Sequence, residues 1–335
     1  MAEKVILGLS DGVDSAVAAY LLKQQGYSVT GVYLDIAGEK EREDALSSAR
    51  RLGIELITAD VRDEMDEKVC RPFAFEYLSG RTPSPCVGCN ARVKLPVLER
   101  VARENGARLI ATGHYVRREG TELYRGSREN DQSYMLSWIT GEQAEHLLLP
   151  LGGMNKTLVR KTAEEIGLSV ARKGDSRENC FVPKGDKYYS WLEARFDTPG
   201  EGDIMLDGRA IGRHGGIHRY TVGQRLPEET DKGRWLYVYR IDAENNRIEA
   251  AEWDRLFTNE ITVSDAVLRA KLPDGEFRAR VQVRHTRWEV PECTVYREGE
   301  RLRVVCESPL RAPAPGQAAA FYDGDRLLGG GVVCG

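Results

Sequence analysis

The sequence lacks several features that define common classes of protein. Its 335 residues contain no run of about 20 apolar residues, the length that a helix needs to cross a bilayer. It has no Walker A pattern, so a phosphoryl-transferring P-loop NTPase is not expected. Its seven cysteines are too sparse and uneven for a disulfide scaffold. A basic excess is also missing, since the formal net charge is −4, and any nucleic-acid binding must depend on local basic patches.

The composition is that of an ordinary globular protein, with 41% hydrophobic and 30% charged residues. The chain is long enough for two or three domains, each with a core of its own. A strand is predicted almost at the start of the sequence, so we expect no signal peptide and no membrane partner. The expected location is therefore cytoplasmic, where close cysteines are better explained by metal binding or catalysis than by a disulfide.

Strand and helix signals alternate over the first part of the chain. Short apolar runs predict buried parallel strands, and helical periodicity that stops at glycine predicts the helices between them. The predicted strands are 4–9, 28–36, 55–59 and 108–112, and the predicted helices are 15–25, 41–52, 62–78 and one from about residue 90 to 106. This alternation predicts an α/β fold with a doubly wound parallel sheet.

The pattern changes after about residue 185. One more helix is predicted at 188–196, and Pro199 to Gly202 is typical of a linker. Short strands with glycine turns follow, including turns at Asp274-Gly275, Glu298-Gly299 and Asp323-Gly324. We therefore predict an α/β domain over 1–197, a small central β domain over 198–258 and a C-terminal β-barrel over 259–335.

A glycine-containing loop joins the first predicted strand to the first helix and consists of Ser10, Asp11, Gly12, Val13, Asp14 and Ser15. Ligands bind at the carboxyl ends of strands in such sheets, where backbone N–H groups and a helix N-terminus attract phosphate. Ser10 and Ser15 would add hydroxyl donors, and Asp14 would help to hold hydrated Mg²⁺. The alternative is that Asp14 or Ser15 only caps the helix. The complete string between strand and helix favours the phosphate site.

Cys86 and Cys89 form a close pair in a proline-rich turn that precedes a predicted helix. A helix N-terminus would favour the thiolate of Cys89 and lower its pKa. By itself the pair fits a redox dithiol, half of a zinc site or part of an iron–sulfur site. Cys70, Cys293 and Cys306 are instead expected to be buried free thiols that pack as small apolar side chains.

The loop resembles the Ser-Gly-Gly-x-Asp-Ser pyrophosphate loop of the N-type ATP pyrophosphatases, which cut ATP between its α- and β-phosphates. The resemblance implies ATP and Mg²⁺ as cofactors, a catalytic pyrophosphatase domain over 1–197, and Leu34 and Gly113 as further nucleotide-binding residues. Asp11 departs from the family, which usually has glycine there. A carboxylate near a triphosphate is unfavourable unless it points away or faces magnesium.

Further strings follow in order along nearly the whole chain: Ala111–Tyr115, Asn130–Tyr134, Leu149–Gly152, Asp175–Phe181, Tyr220–Arg225, Ser308–Leu310, Pro315–Gln317 and Gly329–Gly331. Together they resemble the tRNA-specific 2-thiouridylase family (the MnmA type). The resemblance implies that ATP adenylates the wobble uridine of a tRNA and that sulfur then displaces AMP, forming 2-thiouridine. A tRNA and a sulfur donor, either a persulfide carrier or sulfide, are the implied partners of a monomer or homodimer.

Cys89 and Cys180 match the two cysteines of that family. The resemblance implies that Cys180 carries a persulfide and that Cys89 releases its sulfur by forming a disulfide. Cys86 departs from the family, since many members have aspartate at this position. Three thiolates, from Cys86, Cys89 and Cys180, are the ligand set of a 4Fe–4S cluster with one open iron. Our hypothesis places a cluster-dependent sulfur transfer slightly ahead of the persulfide route.

Contacts to RNA are predicted mainly beside the cysteines. Arg92 and Lys94 flank Cys89 and are candidates for binding tRNA, while Asp131 and Gln132 are candidates for binding the target base. Asp131 is equally well explained as a helix cap, and His114, near the nucleotide site, as a hydrogen-bonded structural residue.

Basic residues also cluster in the predicted barrel, at Arg278, Arg280, Arg284, His285, Arg287, Arg297, Arg301, Arg303 and Arg311. They would grip phosphates, with Trp288 or Tyr296 for stacking, or else protect a solvated edge strand by their charge. Two other functions remain open: the same chemistry on another tRNA position or a free base, and a non-catalytic RNA-binding or iron–sulfur protein of this fold.

Overall fold

The computed structural model describes residues 2–36, 39–174, 179–230, 233–269, 272–284 and 290–334. Contacts within the chain divide it into two compact units. The first unit consists of Met1–Val69, Cys86–Phe181 and Asp325–Leu328, and the second of Cys70–Pro85, Val182–Gly324 and Gly329–Gly335. Residues 70–85 thus pack with the later part of the chain. The three predicted domains, with boundaries near residues 197 and 258, stay a prediction.

The strands of the first unit are β1 (Lys4–Gly8), β2 (Ser28–Asp35), β3 (Glu55–Asp60), β4 (Leu109–Ala111), β5 (Val116–Glu119), β6 (Glu122–Arg125) and β7 (Leu147–Leu148). Five of them form a parallel sheet in the order β3-β2-β1-β4-β7. β5 and β6 form an antiparallel hairpin, and β6 also pairs with Arg326 and Leu327. The predicted doubly wound parallel sheet is therefore confirmed.

Nine α-helices are present in the described ranges: α1 (Val13–Gln24), α2 (Glu39–Leu52), α3 (Arg62–Met65), α4 (Arg71–Leu78), α5 (Pro85–Cys89), α6 (Leu95–Glu104), α7 (Gly141–Glu145), α8 (Lys156–Glu165) and α9 (Tyr188–Glu193). Single π-helical turns, Asp66–Cys70 and Asn90–Lys94, join α3 to α4 and α5 to α6. Short 3₁₀ turns lie at Ser133–Leu136, Ser169–Arg172, Ile217–Arg219 and Trp253–Leu256.

The helix that carries the cysteine pair begins earlier than the sequence analysis predicted. Pro85 opens α5, a position where proline loses no helical hydrogen bond because the first N–H groups of a helix have no intrahelical partner. Cys89 therefore lies one turn inside the helix, and the expectation of a thiol at its N-terminus was wrong. Asn90 lies inside the π-helical turn that follows, and its side-chain nitrogen donates to the carbonyl oxygen of Met135 at 2.9 Å.

The core of the first unit lies between the parallel sheet and helices α1 and α8. Val5 and Leu7 of β1 and Ala16 and Ala19 of α1 are fully buried. Small side chains on α1 allow its backbone to lie close to the sheet, which brings the N-terminus of the helix to the carboxyl edge of β1.

The second unit contains two β structures. A five-stranded sheet, in the order β10-β11-β12-β8-β9, is formed by β8 (Gly202–Leu206), β9 (Arg209–His214), β10 (Arg225–Glu229), β11 (Trp235–Asp242) and β12 (Arg247–Ala251). A barrel is formed by β13 (Phe257–Leu268), β14 (Glu276–Gln282), β15 (Glu292–Glu298), β16 (Arg301–Arg311), β17 (Ala318–Asp323) and β18 (Arg326–Val333). Pairing of β13 with β18 closes the barrel, as predicted.

Two of the predicted turns connect barrel strands. Glu298-Gly299 lies between β15 and β16, and Asp323-Gly324 between β17 and β18. Gly299 has φ +63° and Gly324 has φ +58°, the left-handed region that glycine enters without a steric penalty. Glycine at these positions therefore sets where each hairpin reverses.

Cys293 and Cys306 are not the free thiols that the sequence analysis expected. They lie directly opposite each other on β15 and β16 and are joined in a disulfide. Their positions inside barrel strands agree with the prediction. The strand register that places Cys293 opposite Cys306 depends on the tertiary fold. Cys70 is buried, as expected.

Among the described residues, no helix combines the length and the apolar character that crossing a membrane requires.

Candidate functional site

The candidate site lies where the strand order of the parallel sheet reverses. β1 pairs with β2 on one side and with β4 on the other. The strands that follow β1 are added first on the β2 side and then, from β4 onward, on the opposite side. The loop after β1 and the Thr112-Gly113 segment after β4 therefore meet at the carboxyl edge, where open α/β sheets bind ligands. A Cβ on Gly113 would lie 2.9 Å from the backbone nitrogen of Ser15, so only glycine permits this approach.

Two serines organise the loop after β1. The Ser10 N–H donates to Ser15 Oγ at 3.0 Å, and the Gly12 N–H donates to Ser10 Oγ at 3.2 Å. Gly12 is the N-cap residue of α1, and no side chain caps this helix. The alternative role of Asp14 or Ser15 as the cap is therefore not the one seen. Val13 is 3% exposed and packs in the core, so only its backbone is available to a ligand.

Asp14 is held by two residues that the sequence analysis did not single out as site residues. Lys156 Nζ lies 2.9 and 2.7 Å from its two carboxylate oxygens, and the Tyr115 hydroxyl donates to Oδ1 at 2.6 Å. The Tyr115 N–H in turn donates to Gln132 Oε1 at 3.1 Å. Gln132, predicted to bind the target base, thus positions Tyr115 and through it Asp14.

Asp11 does not face the loop as an uncompensated charge. Lys173 Nζ lies 2.6 Å from Asp11 Oδ2 and 2.6 Å from Asp44 Oδ2 of α2. Burial lowers the pKa of Lys173, but hydrogen bonds to Asp11 and Asp44 outweigh it and raise the pKa above its ordinary value. The ammonium is therefore charged at neutral pH and neutralises Asp11. Leu34, the remaining predicted nucleotide contact, is half-buried near the end of β2 and pairs with Ala59 of β3.

Lys94 connects the three cysteines predicted to act together. Burial lowers its pKa, but the charges that Cys180, Cys89 and Cys86 acquire at high pH, where Lys94 titrates, outweigh burial and raise the pKa above its usual range. One ammonium is thus within electrostatic reach of all three sulfurs. Lys94 was predicted to bind RNA, yet this position suits the stabilisation of a sulfur anion better.

The three cysteines differ in exposure. Cys180 is exposed, Cys86 is half-buried and Cys89 is only 4% exposed, with its Sγ 3.6 Å from Met65 Sδ. Burial raises the pKa of the Cys86 thiol, Lys94 lowers it and Cys180 raises it, so the net direction is upward. At neutral pH Cys86 is therefore a protonated thiol.

The predicted iron–sulfur cluster does not fit the cysteines as the structure arranges them. Within the described ranges, which include all three thiols, no three His, Cys, Asp or Glu side chains are placed to hold a metal ion. Cys89 already contacts Met65. Ligation by Cys86, Cys89 and Cys180 stays a prediction without structural support, and no reaction step is derived through a cluster.

His114 follows β4 and shares a hydrogen bond of 2.8 Å between its Nδ1 and Thr112 Oγ1. Burial, and after it the Lys94 ammonium, lower the pKa of His114 to about 3. The imidazole is therefore neutral at neutral pH, which favours its structural role over acid catalysis.

This histidine predicts a pH-dependent stability. Below its ordinary pKa of about 6.5 the unfolded chain binds a proton that the folded protein does not, so the free energy of unfolding falls as pH decreases from about 6.5 towards 3. The slope from this one group is up to about 1.4 kcal/mol per pH unit. In urea unfolding, the stability of the unaltered protein relative to His114→Gln should therefore drop between about pH 7 and about pH 5. A difference independent of pH would contradict this assignment.

Asp131 has a structural role in its loop. Its carboxylate accepts hydrogen bonds from the Gly126 N–H at 2.9 Å and the Ser133 N–H at 3.0 Å, and it forms an ion pair with Arg125 at 2.9 Å. These contacts fix the loop before the 3₁₀ turn, whose N-cap residue is Gln132 and has no side-chain cap, so Asp131 is not the helix cap of the alternative reading. Base binding by Asp131 stays a prediction. Arg92 is exposed, and its guanidinium lies 5.5 Å from the ring centroid of Trp138.

Several barrel arginines have carboxylate partners on the same sheet. Arg278 pairs with Glu307, Arg280 lies 2.6 Å from Glu292, and Arg303 lies 2.7 Å from Glu298. These pairs neutralise the arginines, which weighs against a surface that binds phosphates. The strands β14, β15 and β16 each have a neighbour on both sides, so the alternative of an edge strand was wrong. His285, Arg287 and Trp288 lie outside the described residues.

Comparison with known proteins matches family models to most of the chain. The model of the tRNA methyl transferase HUP domain matches residues 3–184, that of the tRNA methyl transferase PRC-barrel domain residues 191–252, and that of the aminomethyltransferase β-barrel domain residues 258–333.

Two relatives are similar over nearly their whole length. The tRNA-specific 2-thiouridylase MnmA of Syntrophotalea carbinolica is 40% identical over 345 residues, covering 98% of this chain and 98% of the relative. The protein of the same name from Acetivibrio thermocellus is 37% identical over 356 residues, covering 99% of each. Among solved structures, NMN synthetase from Francisella tularensis is 23% identical with a TM-score of 0.38, covering 52% of this chain and 67% of that one.

Proposed function

Since the chain belongs to the tRNA-specific 2-thiouridylase family, a family of tRNA sulfurtransferases, we propose that it makes 2-thiouridine in tRNA with ATP and a sulfur donor. The observation that carries the proposal is that one compact unit contains the loop after β1 together with the thiols of Cys86, Cys89 and Cys180. A loop of this kind serves activation by ATP, and the thiols serve sulfur transfer. Wobble uridine is the acceptor that the family resemblance implies.

In the first step the loop after β1 holds the triphosphate. The uncapped N-terminus of α1 and the backbone N–H groups of Asp11, Val13 and Asp14 would supply the anion site. Asp14 is the single carboxylate that a hydrated Mg²⁺ needs beside phosphate ligands, and the ion would neutralise phosphate charge there. Lys156, which the structure pairs with Asp14, is a second cation for the phosphates. The uridine 2-oxygen attacks the α-phosphorus, pyrophosphate leaves, and AMP remains on that oxygen.

In the second step sulfur reaches the activated carbon through two cysteines. Exposed Cys180 accepts a sulfur atom from an external persulfide, and its terminal sulfur attacks C2 of the uridine as AMP leaves with the original oxygen. Cys89 then attacks Cys180 Sγ, so the bond between Cys180 and the transferred sulfur breaks and a Cys89–Cys180 disulfide forms. A thiol reductant restores both cysteines. Lys94 stabilises the anionic sulfur at each stage.

The difference in exposure between the two cysteines supports this order. A carrier protein can reach the exposed thiol of Cys180 directly, whereas Cys89 is 4% exposed and protected from solvent oxidants and carriers. Because a buried thiol is unreactive, the disulfide step requires that Cys89 become accessible to Cys180 once the sulfur has been transferred. Cys86, a protonated thiol, has no required part in this route and can act as a proton donor.

The proposal is tested with protein purified without iron, tRNA transcript, Mg-ATP and a persulfide donor under anaerobic conditions. Nucleosides are identified by mass spectrometry, and the same assay is run with protein carrying a reconstituted cluster and with sulfide. We expect 2-thiouridine from iron-free protein. Product only from the reconstituted protein would replace the two-cysteine route by cluster-dependent transfer, and no thionucleoside in any arm would reject tRNA thiolation.

The names of the matching family models mention methyl transfer, whereas the relatives matched over the full length are named for thiolation. The cysteine arrangement around Lys94 favours sulfur chemistry, because methyl transfer requires no group of thiols. A thionucleoside at another position, or on a free base, would retain the chemistry and change only the acceptor.

A further inference from the structure

Asp11 introduces a negative charge into a loop that is proposed to bind a triphosphate. The pyrophosphate loops of the N-type ATP pyrophosphatases, which this loop resembles, usually have glycine at this position. Asp11 is about one-third exposed, and its carboxylate projects from the segment that links β1 to α1. A second carboxylate, Asp44 of α2, binds the same ammonium at the same distance of 2.6 Å. Two like charges thus meet at one edge of the candidate site.

Lys173 is the cation that holds these two carboxylates. It directly follows the 3₁₀ turn Ser169–Arg172 and is far from both in sequence. Its Nζ lies 2.6 Å from Asp11 Oδ2 and 2.6 Å from Asp44 Oδ2, with 32% of the side chain exposed. Partial burial reduces solvent screening, so removal of this ammonium would leave a repulsive field that acts on a nearby anion.

We propose that Lys173 is a positioning residue for ATP, which acts by neutralising Asp11 and holding its carboxylate against α2, away from the triphosphate. This inference rests on the proposed function. It assigns Lys173 a part in nucleotide affinity without direct contact to the phosphates. The loop can have aspartate in place of glycine because Lys173 neutralises the carboxylate of Asp11 and holds it away from the ligand.

The test measures the KM for ATP and kcat in tRNA-dependent AMP formation for four proteins: the unaltered chain, Lys173→Met, Asp11→Gly and the double variant. Lys173→Met should raise the KM about tenfold with kcat changed less than about threefold, since repulsion acts on ligand binding. Asp11→Gly serves as the reference background, and the double variant should match it, because the charge that projects from the loop itself is gone.

Two controls separate charge compensation from structure. Lys173→Arg keeps the cation and should retain the KM of the unaltered protein within about threefold. Lys161→Met removes an exposed lysine that pairs with Glu165 on α8 and should have no effect. If Lys173→Met does not fold, the double variant provides the comparison, because it removes Lys173 and Asp11 together, and a raised KM there overturns the inference.

The remaining outcomes are decisive. A KM for Lys173→Met within about twofold of the unaltered protein overturns the inference, and so does an equal rise of the KM in the Asp11→Gly background, which would mean that Lys173 acts independently of Asp11. Absence of ATP-dependent AMP formation by the unaltered chain overturns the proposed function itself, and this inference with it.

Discussion

Replacement of Cys180 by serine should abolish 2-thiouridine formation, at least about 1,000-fold, while tRNA-dependent AMP formation continues. The physical reason is that a serine hydroxyl cannot carry a persulfide, whereas the phosphate loop and the residues around Asp14 are unchanged. Cys180 is exposed, so the substitution removes no packed side chain and should leave the stability within about 0.5 kcal/mol. Thionucleosides are measured by mass spectrometry and AMP by chromatography in the same reaction.

Other cysteines of the chain provide matched controls. Cys334→Ser replaces another free cysteine, at the end of the barrel, and should retain full activity. Cys86→Ser should retain most of the activity in the two-cysteine route and lose it if Cys86 is required for a cluster. Cys89→Ser should stop after the attack on the uridine and accumulate tRNA joined to Cys180 through a disulfide bond. Thiolation by Cys180→Ser at a normal rate would refute the assignment of Cys180 as the sulfur carrier.

The second large effect is expected from Asp14→Asn, which should lower kcat/KM for AMP formation about 100-fold, a scale typical of losing one charged group that acts at a reacting phosphate. Asparagine has nearly the same shape, but it removes the charge that Lys156 pairs with and that a hydrated Mg²⁺ would share. The Tyr115 hydroxyl keeps an acceptor, so the loss should be in chemistry more than in folding.

Asp325→Asn is the control for this experiment. Asp325 forms an ion pair with Arg117 at 2.9 Å in the same unit, where 64% of the aspartate side chain is exposed. Exposed pairs contribute little to stability, so this variant should behave as the unaltered protein. If Asp14→Asn forms AMP as fast as Asp325→Asn, with both proteins folded by circular dichroism, Asp14 has no part in ATP activation.

Local sequence patterns identified the elements that build the site. Apolar runs and helical periodicity predicted β1 to β4 and the first two helices within a few residues, because burial on both faces of a parallel sheet leaves a continuous apolar signal. The start of α5 was missed, since a proline that opens a helix has the same local signal as a proline in a turn. The consequence was the wrong position of Cys89 relative to the helix end.

What the sequence by itself determined is the phosphate loop, its place after a buried strand, the α/β class and the two cysteines that match the family. What only the tertiary structure decided is which charges surround them. Lys156 forms a hydrogen bond with Asp14, 142 residues away in sequence, and Lys173 forms one with Asp11, 162 residues away. Such pairs follow no periodicity and have no local signature, because the approach of two distant side chains depends on how helices and strands pack. The same holds for Cys293 opposite Cys306, where strand register brings together two residues that sequence spacing does not relate.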